Sequence, residues 1–186
     1  MLAILALGAC GASPPGSAPD TAASTAAPAS MMTTAQAPTM ARYDGYGDMR
    51  FGMDEASFRA AWKGQLQGQL QGQDSRVCFY LWPKSVKVPA DFAFMFEHGE
   101  FVRYDVATTK QTAPGGGKVG MSAARIHALY PDVTEQPHKY ETGGKYLRVE
   151  NPDGTGVLVF EVGANGKVSR WRAGVQPQVD YVEGCS

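Results

Sequence analysis

The segment FGMDEASFRAAW at residues 51–62 returns as VGMSAARIHALY at residues 119–130, and an internal repeat constrains a fold more tightly than composition does. Gly52 and Met53 correspond to Gly120 and Met121, and each pair precedes a residue able to cap a helix, Asp54 or Ser122. Such side chains accept hydrogen bonds from the free amides of a first helical turn. Phe58, Ala61 and Trp62 then mark an apolar i, i+3, i+4 stripe, which Ile126, Leu129 and Tyr130 repeat. Two short helices presenting the same face are expected.

The same register lays RVCFYL at 76–81 onto GKYLRV at 144–149, and FMFEHGEFVRY at 94–104 onto LVFEVGANGKVSRW at 158–171 with a longer second turn. Arg103 and Tyr104 thereby match Arg170 and Trp171. Phe92, Phe94 and Phe96 alternate onto one side of a strand. Asn165–Gly166 reads as a hairpin turn, and the run from Asn151 to Gly154 as another. The expected fold class is α+β, built from tandem units of one helix plus an antiparallel meander, with the helices on one face of the sheet. The units fall at about residues 47–112 and 113–174, followed by a C-terminal strap over 175–186. Neither unit is large enough to bury an adequate core alone, so a shared core or a continuous sheet follows. Between helix and strand, GQLQGQLQGQ at 64–73 repeats glycine every fourth residue. It is expected to be an irregular connector, with an extension of the first helix as the alternative.

Ahead of the compact domain, 42–186, residues 10–41 are largely Ala, Pro, Ser and Thr. So little apolar material cannot offset the entropy of ordering, which makes this stretch a tether. Residues 1–9 form a short apolar leader, and Leu7, Gly8 and Ala9 before Cys10 resemble a bacterial lipoprotein processing box. That resemblance implies a cleaved signal peptide and lipidation of Cys10, with Gly11 in the next position leaning toward the outer membrane. The periplasmic side is favoured, and surface exposure is left open. The leader carries no Lys or Arg, so a start further upstream is also plausible. An uncleaved N-terminus or a cytosolic chain is the alternative.

The remaining cysteines, Cys78 and Cys185, suit a structural disulfide in an oxidising compartment, and no CxxC spacing suggests redox chemistry. Seventeen basic residues against 18 acidic ones offer no electrostatic invitation to nucleic acid. PGGGKVG at 114–120 lacks the Ser or Thr that a phosphate loop places after its Lys, and reads as a turn. His98, His127 and His138 are scattered without HExxH or paired CxxC spacing, so neither a metal nor any other cofactor is expected. Glu97, His98 and Ser169 can be drawn as a hydrolytic trio, but nothing in their sequence context selects it.

Recognition is better supplied with residues than turnover is. Tyr43, Tyr46 and Arg50 lie in RYDGYGDMRFG, where aromatic faces and charged groups could meet a peptide or sugar. Arg103, Arg170, Trp171, Arg172 and Tyr181 form a second set. For both sets packing is the favoured explanation at this level, with direct ligand contact the alternative.

Over about residues 47–174 the duplicated glycine–methionine–cap–helix pattern and its strands resemble the tandem helix–sheet family that includes β-lactamase inhibitory proteins. They resemble equally the small outer-membrane assembly lipoproteins. APGGGKVGM and PQVDYVEGC are similar to segments of envelope lipoproteins of Xanthomonas-like bacteria, some of which carry a lectin label. These resemblances imply a non-enzymatic envelope lipoprotein that binds a protein partner, as an inhibitor or assembly factor. Lectin-like binding of an envelope glycan is the first alternative, and a hydrolase with an unrecognised site the second. Oligomeric state is left open.

Overall fold

The computed structural model describes residues 40–70 and 77–185. The expected leader, Cys10 and nearly all of the expected tether lie outside the described residues. Ala41, the last residue assigned to that tether, is already buried in the first strand.

The chain begins with three two-residue strands, β1 (Ala41–Arg42), β2 (Gly45–Tyr46) and β3 (Met49–Arg50), paired as a small antiparallel sheet. Helix α1 (Glu55–Ala61) follows, capped by Asp54, whose carboxylate accepts from the Ser57 amide at 2.9 Å. Strands β4 (Leu66–Leu70), β5 (Cys78–Pro83), β6 (Phe92–Glu97) and β7 (Glu100–Val106) complete the first unit. The second unit repeats the order with α2 (Ala123–Leu129, capped by Ser122), β8 (Thr134–Pro137), β9 (Lys145–Glu150), β10 (Val157–Val162) and β11 (Val168–Gly174).

Among the described residues the two meanders form one antiparallel sheet of eight strands in the order β4-β5-β6-β7-β11-β10-β9-β8. The last strands of the two units, β7 and β11, meet at its centre with Trp171 opposite Val106 and Arg172 opposite Asp105. Both edges are therefore the first strands of their meanders. The stretch expected as a connector is one of those edges: Leu66–Leu70 pairs with β5 from Leu66↔Pro83 to Leu70↔Phe79. Its glycines argued against regular structure, yet an edge strand needs only one partner, and Gly68 lies so close to β5 that a Cβ there would stand 2.6 Å from Leu81.

The repeat extends to hydrogen bonds that the sequence did not show. Gly52 donates to Phe101 O, Phe101 to Met53 O, and Glu55 to Gly99 O. Gly120, Val168 and Ala123 make the matching bonds to Val168 O, Met121 O and Gly166 O. Each helix start is thus bolted to the last strand of its own meander. Both units also carry a register shift at the equivalent place, between Phe101 and Arg103 on β7 and between Val168 and Arg170 on β11. The extra residue at this bulge turns Phe101 and Tyr104, like Val168 and Trp171, toward the same face.

That face holds the main core. Phe58 of α1 and Ile126 of α2 are fully buried against it, with Phe94, Phe96, Phe101, Leu147, Leu158 and Phe160. Tyr46 fills the space beside α1, its ring centroid 5.0 Å from Phe92 and 5.4 Å from Tyr104. The opposite face is covered by the C-terminal strap, where a single 3-10 turn at Gln178–Asp180 places Val179 against Tyr146, Val157 and Val159. Cys185 ends the strap in a disulfide to Cys78 on β5, as expected.

Candidate functional site

The strap and the strands beneath it form the one surface on which several of the expected binding residues converge. Period two puts Tyr80, Trp82, Arg103, Asp105, Arg170 and Arg172 on this outer face, away from the helices. Their environments then diverge. Arg103 is 4% exposed and uses its whole fork: Nε and Nη2 hold the Asp105 carboxylate at 2.6–3.0 Å, while Nη1 donates to Gln178 O and Tyr181 O. Burial, the largest single influence, pulls its pKa down, but the charge and hydrogen bonds of Asp105 together with Tyr80 and Glu161 outweigh it and leave it raised. Arg172, equally buried, donates to Val179 O at 2.6 Å and lies 3.5 Å from Glu161. Burial, reinforced by the charge of Arg103, holds its guanidinium below the ordinary value. Arg172 supplies the donor for the buried Val179 carbonyl, while Arg103 adds a second donor to the Gln178 and Tyr181 carbonyls, which also accept from the Tyr181 and Gly184 amides.

Arg170 occupies the position in the second unit that Arg103 occupies in the first, yet its side chain is 51% exposed and its nearest carboxylate, Glu161, is 3.9 Å away. It stands at the mouth of a recess of about 220 Å³ walled by Tyr80, Trp82, Pro89 and Ala93, with Arg103 and Asp105 in its lining. Glu183 and Gly184 of the strap close one side. Across the strap a second recess of about 360 Å³ is polar, lined by Gln136, Arg148, Glu150, Arg172, Gln176 and Asp180. Arg148 there is paired with Glu150 at 2.7 Å and with Asp180.

Of the other expected residues, Tyr181 joins this face through the strap, while Tyr43, Tyr46, Arg50 and Trp171 do not. Tyr46 and Trp171 are core side chains, 3% and 0% exposed. The Tyr46 hydroxyl is hydrogen-bonded to Gln111 at 3.0 Å. Tyr43 is half-buried in a hollow with Asp44, Asn151 and Asp153. Arg50 donates to Gly47 O, lies 3.4 Å from Asp44, and lines an open recess of about 480 Å³ with Phe51, Glu150 and Gln176. The Tyr181 carbonyl serves Arg103, and the residue is half-buried in the strap. Trp82 was missed in the sequence, although Cys78, Tyr80 and Trp82 alternate opposite Phe79 and Leu81 and so mark a second apolar-aromatic face.

Two members of the drawn hydrolytic trio, Glu97 and Ser169, have other engagements. Glu97 accepts from the Gln178 amide at 2.5 Å, and Ser169 donates to Glu161 O at 3.1 Å. In the glycine-rich loop the Gly117 amide is taken by the Tyr130 hydroxyl at 2.8 Å, which itself donates to Pro114 O. Among the described residues no group of three or more His, Cys, Asp or Glu side chains is placed to hold a metal ion. Also among them, no helix is long and apolar enough to cross a membrane.

No family model matches the chain. No curated protein matches it either. Among solved structures, the uncharacterized protein yfeY from Escherichia coli aligns over 74% of this chain and 100% of its own at 13% identity, with a TM-score of 0.51. An extracellular protein containing a SCP domain from Bacillus anthracis str. Ames aligns over 78% of this chain and 50% of its own at 11% identity, with a TM-score of 0.43. At such identity the likeness to yfeY is one of fold alone.

Proposed function

We propose that this chain is a non-enzymatic binding module of the cell envelope, held near a membrane through Cys10, whose strap-side face engages a protein partner. The observation that carries this reading is the recess at Arg170. An exposed guanidinium there adjoins Trp82 and Tyr80, which are already ordered by the sheet and by the strap. Aromatic residues and arginine are the types that dominate protein–protein contacts, because they offer large area and directed hydrogen bonds at small entropic cost. The recess is small, so it suits an anchoring side chain of a partner rather than an enclosed substrate. The tether supplies reach without fixing orientation.

A second reading is glycan binding, favoured by the polar recess on the other side of the strap. Gln136, Glu150, Gln176 and Asp180 combine planar donors and acceptors of the kind that match sugar hydroxyls.

A photo-crosslinking amino acid at position 170, in the chain expressed in its native envelope, tests the choice. A discrete protein adduct that fades when Trp82→Ala is added supports the first reading. Adducts with carbohydrate alone support the second, and an adduct-free chain at native abundance overturns the protein partner.

A further inference from the structure

The two edges of the sheet are equivalent strands of the repeat, but they are not protected alike. Exposed strand edges invite pairing with other chains, and charged residues and proline are the usual safeguards. Edge strand β8 reads TEQP and has both. Glu135 is held by His127 at 2.7 Å and Lys145 at 2.8 Å, and Pro137 ends the strand. Edge strand β4 reads LQGQL and has neither.

Among the described residues β4 has β5 as its one strand neighbour, and the hydrogen-bonding groups this leaves over can be assigned from the pairing. Lys84 N–H donates to Gln65 O at 2.9 Å, while Leu66 lies opposite Pro83, which has no N–H to give. In an antiparallel ladder the residues alternate in direction. Gln67 and Gln69 therefore turn their backbone groups toward β5. Leu66, Gly68 and Leu70 turn theirs to the open edge.

LQGQL reads the same in both directions, with Gly68 at its centre. We propose that β4 is a self-pairing edge, joining two copies of this chain antiparallel about a two-fold axis at Gly68. In that register Gly68 faces the partner's Gly68 and Leu66 faces the partner's Leu70. These are the residues whose N–H and C=O groups point outward, so the hydrogen-bonded pairs of the new ladder fall where the donors are. A two-fold centred on Gln67 or Gln69 would instead bring together residues whose groups are already used by β5. Gln67 meets the partner's Gln69 at the closer, non-hydrogen-bonded positions, with no charge to repel. The contact is isologous, as a closed dimer requires. It is independent of the partner proposed for the strap-side face.

The test uses the full chain with Cys10→Ser. Sedimentation equilibrium is expected to show a monomer–dimer equilibrium. The double variants Gln67→Lys with Gln69→Lys, and Gln67→Glu with Gln69→Glu, are each expected to weaken the dimer about tenfold or more, because like charges then face each other at the close pairs. Mixing the two variants restores association. Amide exchange gives a readout that needs no variant: Leu66 and Gly68 N–H groups exchange slowly only at high chain concentration. The proposal is overturned by a wild-type chain that stays monomeric and exchanges Gly68 freely at every concentration. Dimers insensitive to both charge variants overturn it equally, as does Gly68 protection that arises only when a different protein is added.

Discussion

Arg103 and Arg170 occupy one repeat position but differ in what surrounds them. Removing Arg103 leaves Asp105 and two strap carbonyls without their shared donor, in a site where the arginine side chain is only 5% exposed. Breaking such a pair costs about 3–5 kcal/mol. Arg103→Ala is expected to lower the free energy of unfolding by that amount in urea titrations, and Arg103→Lys to recover only part of it, since an ammonium cannot span a carboxylate and two carbonyls in a fixed fork. Arg170→Ala should change stability by less than about 0.5 kcal/mol, as for an exposed side chain, while reducing partner capture. Equal losses at the two positions would remove the distinction between a strap-holding arginine and a free one.

The two helices allow a matched comparison at the scale of elements. Asp54 caps α1 and Ser122 caps α2, at equivalent positions. Hydrogen bonds from the Ser57 amide and hydroxyl hold the Asp54 carboxyl below its ordinary value of 3.8. Its contribution to stability is complete above that unfolded-state value and is lost as pH falls through the lower folded one. Asp54→Asn should therefore flatten the acid limb of a stability–pH curve below about pH 4. Ser122→Ala should cost about 1 kcal/mol at every pH, because a hydroxyl cap does not titrate. Urea midpoints measured from pH 2 to pH 7, with roughly those limits set by the carboxylate range, would distinguish the two. Just before the caps, Gly52 and Gly120 have φ of 86° and 90°, with nothing within 4 Å of an added Cβ. Alanine at either is expected to cost about 1–2 kcal/mol from backbone strain alone, read as a shift in the same midpoints.

At the scale of the whole molecule, the strap converts two meanders into a sheet covered on both faces. Cys78 and Cys185 are 107 residues apart in sequence. Closing so long a loop restricts the unfolded chain by about 4–5 kcal/mol in the entropic account. Cys185→Ser should lose stability of that order in denaturant titrations. It should also speed amide exchange in the strap while leaving exchange in β6 and β10 slow. Uniform loss of protection throughout would mean instead that the strap and the sheet open as one unit.

Much of this architecture could be read from local pattern. Apolar spacing together with cap residues is sufficient to mark α1 and α2, and alternation marks β6, because both depend on neighbours a few residues away. The repeat predicts a shared core because neither unit could bury enough surface alone. β4 escaped the same reasoning: a glycine-rich edge strand acquires its order from the strand beside it, and GQLQGQLQGQ has no periodicity that reveals that partner. The candidate site was legible as residue types only. Tyr46 and Trp171 became core, Arg103 and Arg172 became supports for the strap, and Arg170 alone of that outer-face set kept an exposed guanidinium. What the sequence determined was the repeated unit and its cysteines. The tertiary structure decided which copy of each repeated residue is covered, because the single strap lies unsymmetrically over a nearly symmetric sheet.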